Sequence, residues 1–387
     1  MEIAAPAYSE DGKPYRVEPD LAFIDELAAF GAKTFKQCYQ CATCSARCSI
    51  SPDENPFPRK EMLWLKWGLK DRLIKDLDVW TCYYCGDCST GCPREADPGE
   101  TMMALRRYVT SVYDWTGISR LLYTSGLREI GAIIAVGLVV VGLFYLSGAF
   151  TAERMITDHV SVDTFAPVHL VHYADWVMAA ILTFFLLTNT FRMWRIVMDG
   201  QKVGLWAYVR NLKTFVVHAA TQKKWRECAE RNTRSFWLKH FILVPAYVAM
   251  FVLVMFFLKK LQVDGSEFTK LSYLGYAIAF ILLYVSGDAI IGRIRKKEEI
   301  HKHSHDSDWM FLILLFLTAL TGILMHILRL MDWPLSTYYM YVIHLAIAVP
   351  LLVLEVPFMK WAHLMYRPLA LYLKAVKEST SAVEMKA

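Results

Sequence analysis

Two stretches of sequence decide the fold of the N-terminal part of this chain: Cys38-Tyr-Gln-Cys41-Ala-Thr-Cys44-Ser-Ala-Arg-Cys48 and Cys82-Tyr-Tyr-Cys85-Gly-Asp-Cys88-Ser-Thr-Gly-Cys92-Pro93. Each has the spacing Cys-x2-Cys-x2-Cys-x3-Cys, with which bacterial proteins hold two 4Fe–4S clusters. In that pattern three neighbouring thiolates hold one cluster and the fourth reaches the other. The spacing therefore predicts a first cluster on Cys38, Cys41, Cys44 and Cys92. It predicts a second cluster on Cys48, Cys82, Cys85 and Cys88.

Structural zinc is the alternative interpretation of these cysteines. A zinc site generally takes two Cys-x2-Cys pairs that lie well apart in sequence and build one tetrahedral centre. Four thiols within eleven residues, occurring twice, do not fit that pattern. One departure from the cluster pattern is that Pro93 follows the second group directly, whereas Ser49 follows the first. The ninth cysteine, Cys228, is isolated in a basic loop and is interpreted as a thiol without function.

The composition indicates a soluble part joined to a membrane part. Of the 387 residues, 55% are hydrophobic and 20% are charged. The polar N-terminus has no basic segment followed by an apolar one, so we expect no secretory signal and a reducing compartment for the cysteines. The net charge of +5 comes from basic residues beside apolar stretches, which argues against nucleic-acid binding. We expect a dicluster domain over 1–120, a transmembrane haem domain over 121–366 and a tail over 367–387.

Six apolar stretches reach the length of about 20 residues that a membrane-spanning helix needs. They cover roughly 130–150, 168–194, 238–258, 271–292, 309–330 and 338–361. Basic residues concentrate between spans two and three, between spans four and five, and in the tail. Since positive loops stay inside, we expect both termini in the cytoplasm and the chain in the inner membrane. The loop 259–270 is the weakest part of this argument, with three lysines against two acids.

Histidines inside these spans suggest haem b, because ionisable side chains in a membrane usually have a partner or a function. His344 and His363 are 19 residues apart, about 28 Å along a helix of 1.5 Å rise. They should therefore lie near opposite membrane faces. His240 begins the third span and is level with His363, so these two histidines are the expected ligands of an inner haem. An outer haem would pair His344 with one of the histidines His172, His326 and His169.

Three further histidines lie in the charged loop between spans four and five. They are His301, His303 and His305. A metal site is conceivable there, and a solvated loop is the favoured interpretation.

Both halves of the chain resemble known families. Residues 30–110 resemble the C subunit of heterodisulfide reductases, a small dicluster protein. Spans two to six resemble the gamma subunit of respiratory nitrate reductase, a five-helix dihaem quinol oxidase. The second likeness rests on Phe236-Trp237-Leu238-Lys239-His240 and on the stretch from Ile343-His344 to Trp361-Ala362-His363. The implied fold is mainly α, with a helical dicluster ferredoxin-like domain and a six-helix bundle that has one extra N-terminal span.

One departure concerns the outer haem. The nitrate reductase family has a second histidine about ten residues further along its ligand-bearing second helix, where this chain has Met250. Either Met250 is a ligand, or the outer haem takes another histidine, or that haem is five-coordinate or missing. We expect one haem b and favour two, with His172 as the partner of His344.

The joined domains are similar to the C subunit of quinone-interacting membrane-bound oxidoreductase (Qmo) complexes. That resemblance implies menaquinone, cytoplasmic flavin- and iron–sulfur-containing partner subunits, and adenylylsulfate reductase as electron acceptor in sulfate respiration. His326 and His344 are the candidate quinone-site residues, since a histidine can accept the quinol proton. No catalytic residue is assigned. The alternatives are a heterodisulfide reductase-like or sulfite-pathway subunit, and an anchor or transporter with a regulatory cluster domain.

Overall fold

The computed structural model describes residues 18–228, 233–296 and 298–384. Within these ranges all regular secondary structure is helical, which confirms the predicted mainly α fold. Six helices are long and apolar enough to cross a membrane, as predicted, so the chain is a multi-pass membrane protein. The polar N-terminus over 1–17, on which the expectation about a signal rests, lies outside the described residues.

Short helices build the N-terminal domain around one longer helix. That helix, Pro98–Tyr113, begins with a proline at its first position, where no backbone N–H is needed. Its Tyr108 packs against the rings of Phe23 and Phe30 at centroid distances of 5.0 and 5.4 Å. The other elements are Leu21–Ala29, Phe35–Gln37 (a 3-10 turn), Thr43–Arg47, Arg59–Lys66, Lys70–Ile74, Asp78–Thr81, Asp87–Thr90 and Ile118–Tyr123.

The six spans follow the apolar stretches closely. They are Gly126–Leu146, Val168–Val197, Arg234–Leu261, Lys270–Arg295, Asp306–Leu330 and Pro334–Phe358. The first span ends four residues before the predicted 150, since Gly148 at φ 75° turns the chain away from the helix. Between the spans lie Val162–Phe165, Leu205–Thr221, Lys223–Glu227 (3-10) and Glu299–Lys302.

The sixth span is interrupted where the sequence has two prolines. After Pro334–Pro350 the helix widens into a π-helical turn at Leu351–Glu355 and then continues through Val356–Phe358. Proline removes a backbone donor and crowds the preceding turn, which explains the widening. The chain leaves the helical conformation at Met359 (φ −123°, ψ −146°), and Lys360–Ala362 forms a 3-10 turn.

The segment predicted as a tail forms a helix, His363–Glu384. Tyr366, Ala370, Leu373 and Val376 recur along one face of it and are buried in the same core as the N-terminal domain. This apolar face holds the helix against the rest of the protein. The predicted boundary at 366 therefore lies within a helix that belongs to the folded structure.

The N-terminal domain contacts one end of the bundle, which we call the cluster end. Trp225, between spans two and three, stacks on Tyr83 at a ring-centroid distance of 5.5 Å. His303, between spans four and five, pairs with Asp97 at 3.0 Å. The basic loops and the helix after span six therefore meet the domain that carries the eight cysteines.

Candidate metal centres

The two cysteine groups have the same local fold. In each group the first cysteine directly follows a short helical turn, and the second and fourth residues after it have positive φ angles. These residues are Gln40 (61°), Ala42 (66°), Tyr84 (57°) and Gly86 (92°). The backbone N–H groups of Gln40 and Tyr84 donate to the Sγ atoms of Cys38 and Cys82, each at 3.4 Å. Such N–H donors favour a negatively charged sulfur, as a metal-bound thiolate is.

The fourth cysteine of each group lies with the other group. Cys44 interacts electrostatically with Cys38 and with Cys92. Cys48 interacts in the same way with Cys82 and Cys85. This grouping is the crossed arrangement that two 4Fe–4S clusters need. The thiols therefore fit two clusters, and the assignment of each ligand stays a prediction.

Burial makes these thiols poor metal ligands until they lose their protons. It raises the pKa of the Cys44 thiol to about 11 and that of the Cys48 thiol to about 12. Binding of iron must therefore displace the thiol protons. Cys41, in contrast, is exposed, so the first group reaches the protein surface.

Cys228 belongs to the second group in space. It lines a small cavity together with Cys48, Cys82, Cys85 and Cys88, and its thiol forms a hydrogen bond with Cys85. The loop is held there by Ser49, whose hydroxyl donates to the carbonyl of Glu227 at 2.9 Å. Sequence reasoning treats Cys228 as isolated, because no motif spacing connects it with the other cysteines.

His240 and His363 lie together at the cluster end of the bundle. Their ring centroids are 5.9 Å apart. When two imidazole rings bind the same metal ion, each through a nitrogen at about 2 Å, their ring centroids lie about 6 Å apart. Nδ1 of His363 is hydrogen-bonded to the Lys360 carbonyl, which leaves Nε2 for a metal. Nδ1 of His240 is buried and has no hydrogen-bond partner among the described residues.

Both histidines line a cavity of about 270 Å³. Its apolar wall includes Leu243, Phe311 and Trp361. Its cationic side chains are Arg106, Arg107, Lys239, Arg293, Lys360 and Arg367. Apolar walls fit a porphyrin ring, and cations fit its propionates. The residues present therefore fit haem b.

A row of rings connects the second cysteine group with this histidine pair. Tyr83 lies between Cys82 and Cys85 in sequence and stacks on Trp225. The Trp225 ring in turn contacts His240 at a centroid distance of 5.2 Å. The second cysteine group is therefore the one that adjoins the cavity.

His344 lies deeper in the bundle and is hydrogen-bonded to the fifth span through Thr318 and Thr321. Its Nδ1 bonds to the hydroxyl of Thr321 at 3.0 Å, which leaves Nε2 for another partner. A Cβ atom on Gly322 would come within 3.3 Å of the ring, so the glycine makes room for it. No other described histidine ring contacts His344.

The proposed partners of His344 have other neighbours. Nε2 of His172 is 2.7 Å from the Met255 carbonyl oxygen. Both ring nitrogens of His326 are engaged, with the Tyr276 hydroxyl at 2.9 Å and Arg329 at 3.0 Å. His169 is exposed, and Met250 packs among apolar side chains between the spans. The ligands of an outer haem and the quinone-site residues stay predictions.

The three loop histidines point to different partners. His301 is buried beside Phe236, at a ring-centroid distance of 5.8 Å. His305 caps the fifth span through its ring nitrogen, while His303 pairs with Asp97. The loop is therefore docked on the protein. The interpretation from sequence, which favours a solvated loop, differs from this arrangement. Within the described residues the three rings do not converge on one metal site.

Comparison with known proteins shows that the cysteine-rich region is similar to C subunits of heterodisulfide reductases. The chain is 33% identical over 88 residues to a protein of Archaeoglobus profundus that is itself described as like the C subunit of heterodisulfide reductase, covering 22% of this chain and 47% of that protein. It is 36% identical over 92 residues to the iron–sulfur C 2 subunit of the CoB–CoM heterodisulfide reductase of Methanocaldococcus jannaschii, covering 22% and 49%. It is 32% identical over 77 residues to the C subunit of the H(2):CoB–CoM heterodisulfide,ferredoxin reductase of Methanothermobacter marburgensis, covering 20% and 41%.

The chain spans about half the length of these curated relatives. No protein-family profile matches it, and no solved structure matches it. The molecule is a multi-pass membrane protein whose N-terminal region resembles the C subunit of heterodisulfide reductase and fits iron–sulfur clusters.

Proposed function

We propose that the chain is a membrane electron-transfer subunit that connects the quinone pool with a soluble redox partner. The observation that carries this proposal is the position of two crossed cysteine groups beside the histidine-lined cavity of the bundle. Two 4Fe–4S clusters and haem b would supply one-electron redox sites there. A regulatory cluster domain on a transporter needs no such juxtaposition.

The protein's own residues define the order of the sites. The second cysteine group contacts the cavity through Tyr83 and Trp225. The first group lies farther out, since Cys41 and the neighbouring Tyr39 are exposed. Electrons would therefore pass between the bundle and the second cluster, then the first cluster, then a partner that docks at Tyr39.

The cavity residues would hold and orient the haem. His363 is fixed by its bond to the Lys360 carbonyl, and Lys360 itself is paired with Asp308. Arg367 donates to the Cys82 carbonyl at 2.8 Å and also lies over the Tyr83 ring. One helix, His363–Glu384, would thus position a haem ligand at its start, and one turn later its Arg367 contacts the second cysteine group.

The outer level of the bundle is assigned to quinone and to a second haem. His344 would be one haem ligand, with His172 favoured over His326, His169 and Met250 as the other. Menaquinol would lose two electrons to the redox sites of the chain and two protons near His344 and His326, where an imidazole nitrogen can accept a proton. Counting haems in His344 and His172 variants would decide the number of haems and the identity of this ligand.

The basic loops support the orientation of the chain. They lie at the cluster end, so the positive-inside rule supports a cytoplasmic position for that end, in a chain that would lie in the inner membrane. The partners would be flavin- and iron–sulfur-containing subunits of the same complex, and adenylylsulfate reductase is the candidate acceptor. The similarity to the C subunit of heterodisulfide reductase favours a second candidate, a heterodisulfide reductase-like or sulfite-pathway complex with the same electron path.

A redox titration tests the proposal. Purified wild-type protein is titrated while visible spectra count haem b and EPR spectra count clusters, with a menaquinol analogue as reductant. We expect reducible haem b and two clusters. His363→Ala should lose the inner haem and retain both clusters, and His159→Ala, which changes an exposed histidine between spans one and two, should retain everything. A wild-type protein that shows no reducible haem b contradicts the proposal.

A further inference from the structure

Two buried carboxyl groups, those of Glu129 and Glu355, interact electrostatically inside the membrane bundle. Glu129 lies one turn into the first span and is 2% exposed, while Glu355 lies in the π-helical turn of the sixth span and is 1% exposed. Among the described residues, both carboxyl oxygens of Glu129 and Oε2 of Glu355 have no hydrogen-bond partner. Ionisable groups inside a membrane are costly and usually functional, and π-helical turns are frequent at functional sites.

The pair is connected with the protein surface through Asp306. This aspartate is exposed at the start of the fifth span. Its carboxylate lies against the first residue of span one, since a Cβ on Gly126 would be 2.6 Å from Oδ2 of Asp306. Glu129 is one turn further along the same helix and interacts electrostatically with Asp306. Three carboxyl groups therefore lead inward from the surface, in the order Asp306, Glu129 and Glu355.

The inner end of this row reaches the histidine-lined cavity. The backbone N–H of Lys360 donates to the carboxylate of Glu355. The side chains of Lys360 and Asp308 line the cavity, as does Tyr123. The charged and titratable groups that face the two glutamates are thus Asp306, Asp308, Lys360 and Tyr123.

These neighbours leave the two glutamates without a counter-ion of their own. Lys360 is paired with Asp308, which also lies 4.0 Å from Arg293. Two carboxylates that share a buried site repel each other when both are ionised, and one bound proton removes that repulsion. If Glu129 and Glu355 had only a structural role, glutamine side chains of the same shape would serve equally well at both positions.

We propose that Glu129 and Glu355 form a proton-binding site between the surface at the cluster end and the redox cavity. The site takes up one proton from water through Asp306 when the cavity gains one electron, and it releases that proton when the electron leaves. The carboxylate becomes a carboxylic acid and returns, so charge is balanced at each step. This inference rests on the proposed function of the cavity as a redox site.

Infrared redox difference spectroscopy on the full-length protein in lipid nanodiscs tests it. The wild-type spectrum should contain a carboxylic-acid C=O band that follows haem reduction and shifts in D2O. Glu355→Gln and Glu129→Gln should each remove that band and reduce the dependence of the haem midpoint potential on pH. Glu355→Asp should retain a shifted band. Glu267→Gln, in the loop at the opposite end of the bundle, is the matched control and should change neither measurement.

The outcomes separate this inference from the proposed function. A wild-type protein without reducible haem b overturns both. Reducible haem with a carboxylic-acid band that persists in Glu129→Gln and Glu355→Gln overturns the inference alone. If either glutamine variant fails to fold, the wild-type band in H2O and D2O and the Glu355→Asp variant still decide the question, because absence of any redox-linked carboxylic-acid band overturns the proton site.

Discussion

At the scale of single residues, Cys228 is a thiol that lies with the second cysteine group although it is not a predicted ligand. Four other cysteines are the predicted ligands of the second cluster, and Cys228 is hydrogen-bonded to one of them, Cys85. Hydrogen bonds to cluster sulfurs stabilise the reduced form, in which the sulfurs carry more negative charge. The Cys228 thiol should therefore raise the reduction potential of this cluster.

Replacing Cys228 tests this effect. Cys228→Ala should retain both clusters and lower the midpoint potential of one of them, measured by EPR-monitored titration. Cys228→Ser keeps a donor and should recover part of the shift. Equal potentials in all three proteins would show that the thiol does not act on the cluster, and loss of one EPR signal would make Cys228 a ligand.

His305 is a second residue whose chemistry follows from its contacts. Its Nδ1 accepts from the backbone N–H of Ser307 at 3.3 Å and so caps the fifth span. Burial and the nearby Arg107 lower the pKa of His305 from 6.5 to about 4. The undocked loop therefore binds a proton first as pH falls. The stability of the docked loop should be full above pH 6.5 and should decrease between pH 6.5 and about 4, by at most about 3 kcal/mol.

Hydrogen exchange of residues 298–310 at pH 7 and pH 5 measures this loss. Because chemical exchange itself is slower at pH 5, the two conditions are compared as protection factors, and we expect lower protection at pH 5 in the wild-type protein. His305→Asn keeps a good helix-capping acceptor and does not titrate, so its protection should depend much less on pH. The same acid-induced loss of protection in His305→Asn would assign the effect to another group.

At the scale of elements, the helix His363–Glu384 is held to the cluster domain by buried charges. Lys374 pairs with Asp78 at 2.5 Å, and Lys60 reaches the same carboxylate at 2.6 Å. Burial alone would raise the pKa of Asp78, but these two lysines hold it below its ordinary value. Asp78 begins the short helix that leads to Cys82, so this ion pair connects the helix His363–Glu384 with the second cysteine group.

Lys374→Met should weaken that connection. One buried charge pair is lost while Lys60 still neutralises Asp78, so we expect a loss of roughly 1–2 kcal/mol. Limited proteolysis should cleave the region 363–384 sooner, and thermal release of the second cluster should occur at a lower temperature. Lys213→Met, which changes an exposed lysine on Leu205–Thr221, is the control. Equal cleavage rates in both variants would show that the Lys374–Asp78 pair does not hold this helix in place.

Which elements the sequence reveals depends on how local their cause is. The six spans depend on composition within one segment, so apolar stretches predict them. The π-helical turn at Leu351–Glu355 depends on proline and on packing against several helices, and sequence indicates only a kink. The helix His363–Glu384 has an apolar face, but its burial requires a partner domain that lies far away in sequence.

In the candidate site, too, the features with a local cause could be predicted from the sequence, and those created by distant segments could not. The cysteine spacing predicts the crossed groups because ligands of one cluster lie within a few residues of each other. The pairing of His240 with His363 follows from depth in the membrane, and their rings do lie together. Cys228 and the carboxyl pair of Glu129 and Glu355 have no such spacing, since contacts between distant segments create both.

At the scale of the whole molecule, the candidate redox sites lie along one path from the bundle to the surface. The histidine pair adjoins the second cysteine group through Trp225 and Tyr83, and the first group reaches the surface at Cys41. The carboxyl row approaches the cavity from the first span, and its Glu355 accepts from the backbone N–H of Lys360, which lines the cavity. Under the proposed function, electrons and protons would therefore reach the cavity by separate routes.

This order predicts an asymmetry between the two clusters. Cys41→Ala removes a predicted ligand of the first cluster, and a menaquinol analogue should still reduce the second cluster at the wild-type rate. Cys85→Ala removes a predicted ligand of the second cluster, so haem should still be reduced while the first cluster is reduced at least tenfold more slowly. Freeze-quench EPR measures both rates, with dithionite reduction counting the cluster that remains. His159→Ala, at an exposed histidine between spans one and two, should match the wild-type protein. Wild-type reduction of the first cluster in Cys85→Ala would contradict the order, because electrons would then bypass the second cluster.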